Sequence, residues 1–165
     1  MTANSFIRPI RPEDDAVIGA IIREVMTEFK TVGPGYSIND PEVNQMSAAY
    51  SNPANSRYFV LETDGLVQGG GGIGPLENGE DDVCELRKMY FLPASRGQGW
   101  GRKMVQLCLD TARELGYKKC YLETVERMET ANLLYNKMGF KALCGKMGDT
   151  GHSSCDTYFV KELDH

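Results

Sequence analysis

Two glycine clusters are the first candidates for chemistry, because glycine lets backbone amides approach a ligand closely. Residues 69–74 read GGGGIG, and residues 96–101 read RGQGWG. The first cluster formally matches G-x-G-x-x-G, a dinucleotide-binding pattern whose mechanism requires a helix to begin directly after it. Pro75 and the turn ENGEDD come next instead. We therefore expect a bulged or closely approached strand there, and no phosphate site.

The second cluster has the sequence context that phosphate binding needs. It lies after a strand-like segment and opens an amphipathic helix that we expect from Gly99 to Leu115, with Arg102 and Lys103 in its first turn. Convergent amides and the positive end of a helix dipole attract an anion at such a position. We therefore expect a phosphate or pyrophosphate here, against the plainer alternative of a glycine-rich strand-to-helix turn. A Walker A site is excluded, because Gly101 is not followed by Lys-Ser/Thr.

Composition sets broad limits on the function. The chain of 165 residues carries 18 Lys+Arg and 23 Asp+Glu, a formal net charge of -5. This balance argues against a nucleic-acid binder. The length predicts one domain over residues 1–165. No apolar stretch is long enough to span a membrane, and the first residues lack the apolar core of a signal peptide, so we expect a cytoplasmic protein without membrane contact.

The cysteines and histidines indicate no metal site. The chain has five cysteines, an odd number without a CxxC pair, and only His152 and His165 besides. This set is a poor source of zinc ligands. Free thiols in a reducing cytoplasm are the expected state. We also expect His152, in the polar loop MGDTGHSS, to lie at the surface, with a contact to the substrate as the alternative.

The elements that must position these residues are predicted from hydrophobic periodicity. Strands are predicted at FIRPIR, RYFVLET, LVQGGGGIG, VCELRKMYF, KKCYLETV, FKALCGK and DTYFVKEL. Helices are predicted from Pro12 to about Lys30, Pro41 to about Tyr50, Gly99 to Leu115 and Glu129 to Met138. Antiparallel neighbours followed by a strand–helix–strand unit with a right-handed crossover predict a mixed α/β sheet.

The motif Arg96-x-x-Gly99-x-Gly101 resembles the R/Q-x-x-G-x-G/A signature of the GCN5-related N-acetyltransferase (GNAT) family, which binds acetyl-CoA. The resemblance covers nearly the whole chain, including the preceding strand ELRKMYFLP, the strand CYLETV and the segment ANLLYNKMGF. It implies a GNAT-like fold: one mixed central sheet with helices on both faces. Two parallel strands would splay where CoA binds.

The resemblance also implies cofactor contacts. The loop comprising Arg96, Gly97, Gln98, Gly99, Trp100, Gly101 and Arg102 would hold the CoA pyrophosphate, chiefly through its backbone amides. Met89, Tyr90 and Phe91 would offer main-chain groups to the pantetheine arm. Relatives often carry an asparagine at the position of Met128, so that contact should be missing here. Asn132 is retained as a candidate CoA contact, and whether it replaces the missing one stays open.

The same resemblance implies the catalytic groups. Tyr135 matches a tyrosine that protonates the departing CoA thiolate, although a purely packing role with Leu134 and Phe140 is the alternative. Glu85 and Glu123 match the general-base positions of two branches of the family. Either carboxylate could take a proton from an ammonium group, and the choice stays open with a slight preference for Glu85. Tyr36 would form a wall of the acceptor pocket.

We therefore expect an acyltransferase that moves an acetyl group from acetyl-CoA to a primary amine of a small molecule, amino acid or peptide by direct attack, without a metal. The alternative is a non-catalytic acyl-CoA-binding sensor or interaction module on the same fold. The acceptor is not identified by the sequence. The family often forms dimers, so a homodimer is one expected assembly.

Overall fold

A computed structural model describes residues 3–164, so Met1, Thr2 and His165 lie outside the described residues. Seven strands form one mixed sheet in the order β1-β2-β3-β4-β5-β7-β6. The strands are β1 (Ser5–Pro9), β2 (Arg57–Thr63), β3 (Leu66–Pro75), β4 (Val83–Phe91), β5 (Lys119–Thr124), β6 (Lys141–Leu143) and β7 (Thr157–Glu162). The α-helices are α1 (Asp15–Glu28), α2 (Met46–Ala49), α3 (Trp100–Glu114) and α4 (Glu129–Lys137).

The helices cover both faces of the sheet. One apolar cluster joins α1 and α2 to one face through residues such as Ile22, Met46 and Val60. The other joins α3 and α4 to the opposite face through residues such as Leu109 and Tyr135. Alternate strand residues point to opposite faces, so each strand serves both clusters. The predicted α/β architecture with a mixed sheet is confirmed. No helix within residues 3–164 is both long enough and apolar enough to cross a membrane.

The strands β4 and β5 form the parallel pair among the pairings described, and they separate after three residues. Their register runs from Val83 opposite Lys119 to Glu85 opposite Tyr121. Beyond this point β4 continues to Phe91 without further pairing to β5. The two strands therefore splay and leave a gap between the two faces of the sheet.

The first glycine cluster lies inside β3, as predicted, and no helix begins there. A Cβ atom at Gly69 would lie 2.5 Å from the carbonyl oxygen of Tyr90, and one at Gly70 would lie 2.7 Å from that of Phe59. Both distances are far below an ordinary contact. The glycines therefore serve the close approach of β3 to its two neighbouring strands.

Two predicted elements are shorter than expected. The helix predicted from Pro41 to Tyr50 divides into a 3-10 turn (Pro41–Asn44) and the single turn of α2. Gln45 separates them with φ −152° and ψ 54°, which no α-helix contains. The strand predicted at FKALCGK pairs only over Lys141–Leu143, at the edge of the sheet.

Candidate active site

A bulge in β4 opens the gap between the splayed strands. Lys88 and Met89 of β4 lie together opposite the single residue Gly71 of β3. Lys88 adopts φ +51°, which is unusual for a residue with a side chain. The hydroxyl of Tyr58 donates a 2.7 Å hydrogen bond to the Lys88 carbonyl and fixes this conformation. A bulge bends its strand, so β4 turns away from β5 at this point.

The second glycine cluster forms a loop that leads directly into α3. Gly97 has φ +74° and Gly99 has φ +87°, a conformation that glycine adopts without strain. Gly99 is the N-cap of α3, which begins at Trp100. A Cβ at either glycine would meet no atom within 4 Å. The loop therefore faces open space, and its amides stand at the positive end of the α3 dipole.

Arg96 anchors this loop through its side chain. Its guanidinium makes a two-bond ion pair with Glu28 of α1, at 2.7 and 2.8 Å. Its Nε donates a 2.9 Å hydrogen bond to the carbonyl of Phe91. The Gln98 amide also turns back, donating to the carbonyl of Ala94. The structure therefore places both side chains in contacts that shape the loop.

A cavity of about 390 Å³ runs from this loop along the splayed strands; we call it the loop cavity. Its wall is mostly apolar, and it includes all the predicted cofactor-binding residues except Gln98 and Asn132. The predicted members that line it are Met89, Tyr90, Phe91, Arg96, Gly97, Gly99, Trp100, Gly101 and Arg102. Phe29, Leu133 and Leu134 add apolar surface. An elongated ligand with an anionic end at the loop fits this shape.

A second, smaller cavity of about 70 Å³ lies toward α1; we call it the glutamate cavity because Glu85 and Glu123 both line it. Tyr36 and His152 also belong to its wall. The two cavities meet at residues that line both of them. These are Met89, Tyr90, Met128, Ala131 and Tyr135. The gap between β4 and β5 is thus a passage between the two faces of the sheet.

Tyr135 lies where the two cavities meet. It belongs to α4 and is buried, with its ring packed on Phe140 and Phe159 at centroid distances of 5.7 and 6.0 Å. Its hydroxyl has no hydrogen-bond partner among residues 3–164. Burial raises the pKa of the phenol well above its ordinary value, so it carries its proton at neutral pH. The ring is therefore part of the core, while the protonated hydroxyl faces the point where the two cavities meet.

Glu85 is a buried carboxyl on the α1 side of β4, only 5% exposed. Arg87, two residues along the same strand, donates a 2.8 Å hydrogen bond to it. Burial raises the pKa of Glu85 even though this cation lies beside it. A carboxyl with a raised pKa is better matched to proton transfer near neutral pH than an ordinary glutamate.

Glu123 lies on β5 and accepts hydrogen bonds from several groups. The Tyr121 hydroxyl donates to its Oε2 at 2.7 Å, and the Thr150 hydroxyl donates to its Oε1. Nδ1 of His152 lies 3.5 Å from the same Oε1. Burial alone would raise the pKa of this carboxyl, but the three partners together lower it. The two glutamates therefore differ in their tendency to hold a proton.

His152 corrects an expectation, because the structure places it inside the site and not at the open surface. Its side chain is 15% exposed, and Nε2 lies 2.9 Å from an oxygen of Asp40. Burial alone would lower the pKa of the imidazole, but Asp40 and Glu123 outweigh burial and raise it to about 9. Sequence reasoning missed Asp40 altogether, since no local pattern joins residues that are 112 positions apart.

Glu85, Glu123 and His152 each offer a ligand atom, and these atoms lie within 4.8 Å of one another. Such a spacing could suit a metal ion, but Arg87 already pairs with Glu85 and Asp40 already pairs with His152. Arg87 and the protonated His152 thus supply positive charge that balances the two glutamates. We interpret it as an ion-pair network.

Asn132 stands apart from the other candidates. Its amide donates a 3.1 Å hydrogen bond to the carbonyl of Val125, and it lines neither cavity. Met128 lines both cavities, at the position where relatives often have asparagine. Tyr36 lines the glutamate cavity, and its hydroxyl accepts a 3.0 Å hydrogen bond from Arg127.

Comparison with known sequences agrees with this geometry. The profile of the Acetyltransferase (GNAT) family matches residues 12–140. The chain is 41% identical over 158 residues to the uncharacterized N-acetyltransferase YjgM of Escherichia coli (strain K12), covering 95% of this chain and 94% of that protein. It is 32% identical over 107 residues to the IAA acetyltransferase of Azospirillum brasilense, covering 65% of this chain and 68% of that protein.

Solved structures show the same fold. An acetyltransferase of the GNAT family from Staphylococcus aureus Mu50 superposes with a TM-score of 0.83 and 17% identity, covering 98% of this chain and all of the other. The yncA putative acetyltransferase from Salmonella typhimurium, solved with its cofactor acetyl-CoA, superposes with a TM-score of 0.76 and 22% identity, covering 98% and 95%. The chain therefore belongs to the GNAT family of acetyltransferases and is an enzyme of the N-acetyltransferase class.

Proposed function

We propose that this protein transfers the acetyl group of acetyl-CoA to a primary amine by direct attack of the amine on the thioester. One observation carries the proposal: the loop cavity and the glutamate cavity meet at Tyr135. This arrangement suits two substrates that enter from opposite faces of the sheet. Their reacting groups would meet in the gap between β4 and β5.

The loop cavity fits acetyl-CoA. The backbone amides from Gly97 to Arg102 would hold the pyrophosphate, because the positive φ of two glycines turns the loop toward open space at the start of a helix. Arg96 would act indirectly, by fixing the loop to α1. The main chain of residues 89–91 would bind the pantetheine arm along the splayed strand. Asn132, which faces the carbonyl of Val125, is not part of this proposed site.

Acetyl-CoA supplies a thioester carbonyl, which is the electrophile of the reaction. The protein supplies the groups that handle the amine. Glu85 is proposed to accept a proton from the bound ammonium, and Glu123 is proposed to hold the ammonium in place. A new C–N bond then forms at the carbonyl carbon while the C–S bond breaks. The Tyr135 hydroxyl is proposed to give its proton to the departing sulfur. The nitrogen must lose a second proton to become a neutral amide, and this proton would return to the Tyr135 oxygen directly or through water, while Glu85 releases its proton to solvent.

The proposed acceptor is a small-molecule amine, an amino acid or a peptide. The small glutamate cavity would receive its amino end, and the rest of the acceptor would lie toward Tyr36. We also propose that residues 1–165 form one catalytic domain that works in the cytoplasm, where the five cysteines, all free in the structure, stay reduced. A homodimer would appear in light scattering at twice the chain mass of 18.3 kDa.

Calorimetry with acetyl-CoA, together with a panel of primary amines, tests the proposal. The panel contains tyramine, agmatine, spermidine, phenylalanine and a lysine-containing peptide, and mass spectrometry detects the acetylated product. Direct product detection is preferred to thiol reagents because Cys144 is exposed and would react with them. We expect acetyl-CoA binding and acetylation of at least one amine.

Folded protein that binds no acetyl-CoA would contradict the whole proposal. Binding without acetylation of any of these amines would favour the sensor alternative. Single substitutions of Glu85, Glu123 and Tyr135 test the residue assignments separately.

A further inference from the structure

We propose that His152 is a positioning residue for the transfer reaction. Its imidazole bridges Asp40 and Glu123. It thereby closes one side of the glutamate cavity and holds the Glu123 carboxylate opposite Glu85. This inference rests on the proposed acetylation of an amine. It adds a further residue to the three, Glu85, Glu123 and Tyr135, that the proposed function assigns to the reaction. His152 itself does not exchange a proton with either substrate.

The first support is the way in which two loops meet. Residues 33–40 and residues 148–155 are separated by more than a hundred positions, yet they form one wall of the glutamate cavity. The amide of Ser154 donates a 3.0 Å hydrogen bond to the Gly35 carbonyl, and its hydroxyl donates a 2.8 Å hydrogen bond to the Pro34 carbonyl. The His152–Asp40 ion pair, with an N···O distance of 2.9 Å, is the charged contact between these two loops.

The second support is the position of Asp40, where three parts of the wall converge. Asp40 belongs to the first loop and pairs with His152 of the second. It also accepts a 2.8 Å hydrogen bond from Lys88, the residue of the β4 bulge. Breaking the His152–Asp40 contact would therefore remove the charged link between the second loop and Asp40, and would leave the two loops joined through the Ser154 hydrogen bonds.

The third support is the charge pattern around the imidazole. Asp40 and Glu123 face it from two elements, the cation Lys88 lies behind Asp40, and Glu85 lies beyond Glu123. At Glu123 burial alone would raise the pKa, and the positive imidazolium is the strongest of the influences that together lower it. At Glu85 burial raises the pKa, and the imidazolium opposes this only in part. The pKa of His152, raised to about 9, keeps this positive charge at neutral pH.

The chain offers a direct measurement, because it contains only two histidines. Ring ¹⁵N NMR of the whole protein gives the titration of both, and His152→Gln identifies the signal of His152. We expect that this signal titrates near pH 9 in the original protein and at least about one unit lower in Asp40→Asn. Titration at or below the ordinary histidine value in the original protein would overturn the proposal.

A second NMR experiment reads the effect on Glu123 without any acceptor. Carboxyl ¹³C signals of labelled glutamate are titrated, and Glu123→Gln identifies the relevant signal. In His152→Gln, the pKa of Glu123 should rise by about one unit, because the neighbouring cation is gone. In His152→Arg, which keeps a positive charge, it should stay near the original value. An unchanged pKa in His152→Gln would reject the role.

Kinetics then separates positioning from mere stability. With acetyl-CoA and tyramine, or the panel amine that the enzyme accepts best, we expect the acid limb of kcat/KM to move to higher pH in His152→Gln and to return toward its original position in His152→Arg. A purely structural role would lower the rate equally at every pH, and that result would contradict the inference. Lys146→Ala, an exposed change close to the same loop, is the matched control and should leave the profile unmoved.

The two proposals fail in different ways. If the original protein acetylates no amine, the proposed function fails, whatever the NMR titrations give. If it acetylates an amine but the His152→Gln profile keeps its acid limb, only the positioning role fails. Thermal unfolding of each variant checks that the compared proteins are folded.

Discussion

The hydroxyl of Tyr58 holds the carbonyl of Lys88 at 2.7 Å, at the residue where β4 bulges. Both residues are buried, so this carbonyl has no access to bulk water if the hydroxyl is removed. The bond comes from β2, two strands away from the gap that it helps to open. The shape of the passage thus depends on a core hydrogen bond from Tyr58, a residue that lines neither cavity.

Tyr58→Phe should therefore weaken both folding and substrate binding. Leaving a buried carbonyl unsatisfied costs about 1–3 kcal/mol. We expect the free energy of unfolding in urea to fall by roughly this amount and the KM for acetyl-CoA to rise by about threefold or more. Tyr117→Phe is the control, because it removes a 2.9 Å bond to the Asn55 carbonyl, and both residues lie between elements and line neither cavity. An equal rise of KM in both variants would reject a specific effect on the bulge.

Gly99→Ala tests the loop at the start of α3. Alanine at φ +87° is strained by about 1–2 kcal/mol, although it meets no neighbouring atom. Strain relief would turn the amides away from their common point, so we expect the Kd for acetyl-CoA to rise about tenfold or more in calorimetry.

Gly116→Ala is a matched control: φ is +90°, the surrounding space is open, and the site lies at the other end of α3. It should lose similar stability and keep its affinity. Equal affinities in the two variants would contradict phosphate binding by this loop.

Local sequence patterns predict the helices and strands and the different roles of the two glycine clusters. They can do so because a strand, a turn and the start of a helix each depend on the types of a few neighbouring residues. A proline and a turn after residues 69–74, and a helical pattern after residues 96–101, distinguish the two clusters. The bulge at Lys88 leaves no such mark, since KMYF alone is typical of a regular strand. The Asp40–His152 contact is equally invisible, because it depends on how two irregular loops pack. Asn132, which the family resemblance suggests as a cofactor contact, faces a local carbonyl instead.

Acid should weaken the fold through the pair of Arg8 and Asp14. Both side chains are nearly buried, with N···O at 2.8 Å. The hydrogen bond from Arg8 lowers the pKa of Asp14 against the opposing effect of burial. Because the pKa is lower in the folded state, the stabilisation is complete above the ordinary aspartate pKa and is lost as pH falls through the folded value.

Asp14→Asn should therefore cost roughly 3 kcal/mol near pH 7, since it leaves the Arg8 cation without this partner. The difference from the original protein should shrink as the pH falls below about 4, where the original protein loses the same contribution. Urea denaturation at several pH values measures both effects. Asp110→Asn, in an exposed pair with Arg113, should change stability by less than about 0.5 kcal/mol. A constant difference at all pH values would contradict the argument.

The contrast between the two glutamates predicts different kinetic defects. Glu85→Gln removes the carboxyl with the raised pKa, so we expect kcat at neutral pH to fall on the order of 100-fold. Glu123→Gln keeps a hydrogen-bonding partner for Tyr121 and Thr150 but loses the negative charge. It should raise the KM for the amine more than it lowers kcat. If kcat instead fell strongly only in Glu123→Gln, Glu123 would be the general base and Glu85 would be the residue that binds the ammonium.

Tyr135→Phe isolates the proposed proton donor. The phenol hydroxyl has no hydrogen-bond partner among residues 3–164, and the ring contacts with Phe140 and Phe159 persist in phenylalanine. Stability should therefore change by less than about 0.5 kcal/mol, and the Kd for acetyl-CoA should stay within about threefold. Loss of general acid catalysis should lower kcat by about 100-fold or more. Turnover equal to that of the original protein would leave Tyr135 as a packing residue only, and the enzyme would then have to protonate the thiolate from water that enters where the two cavities meet.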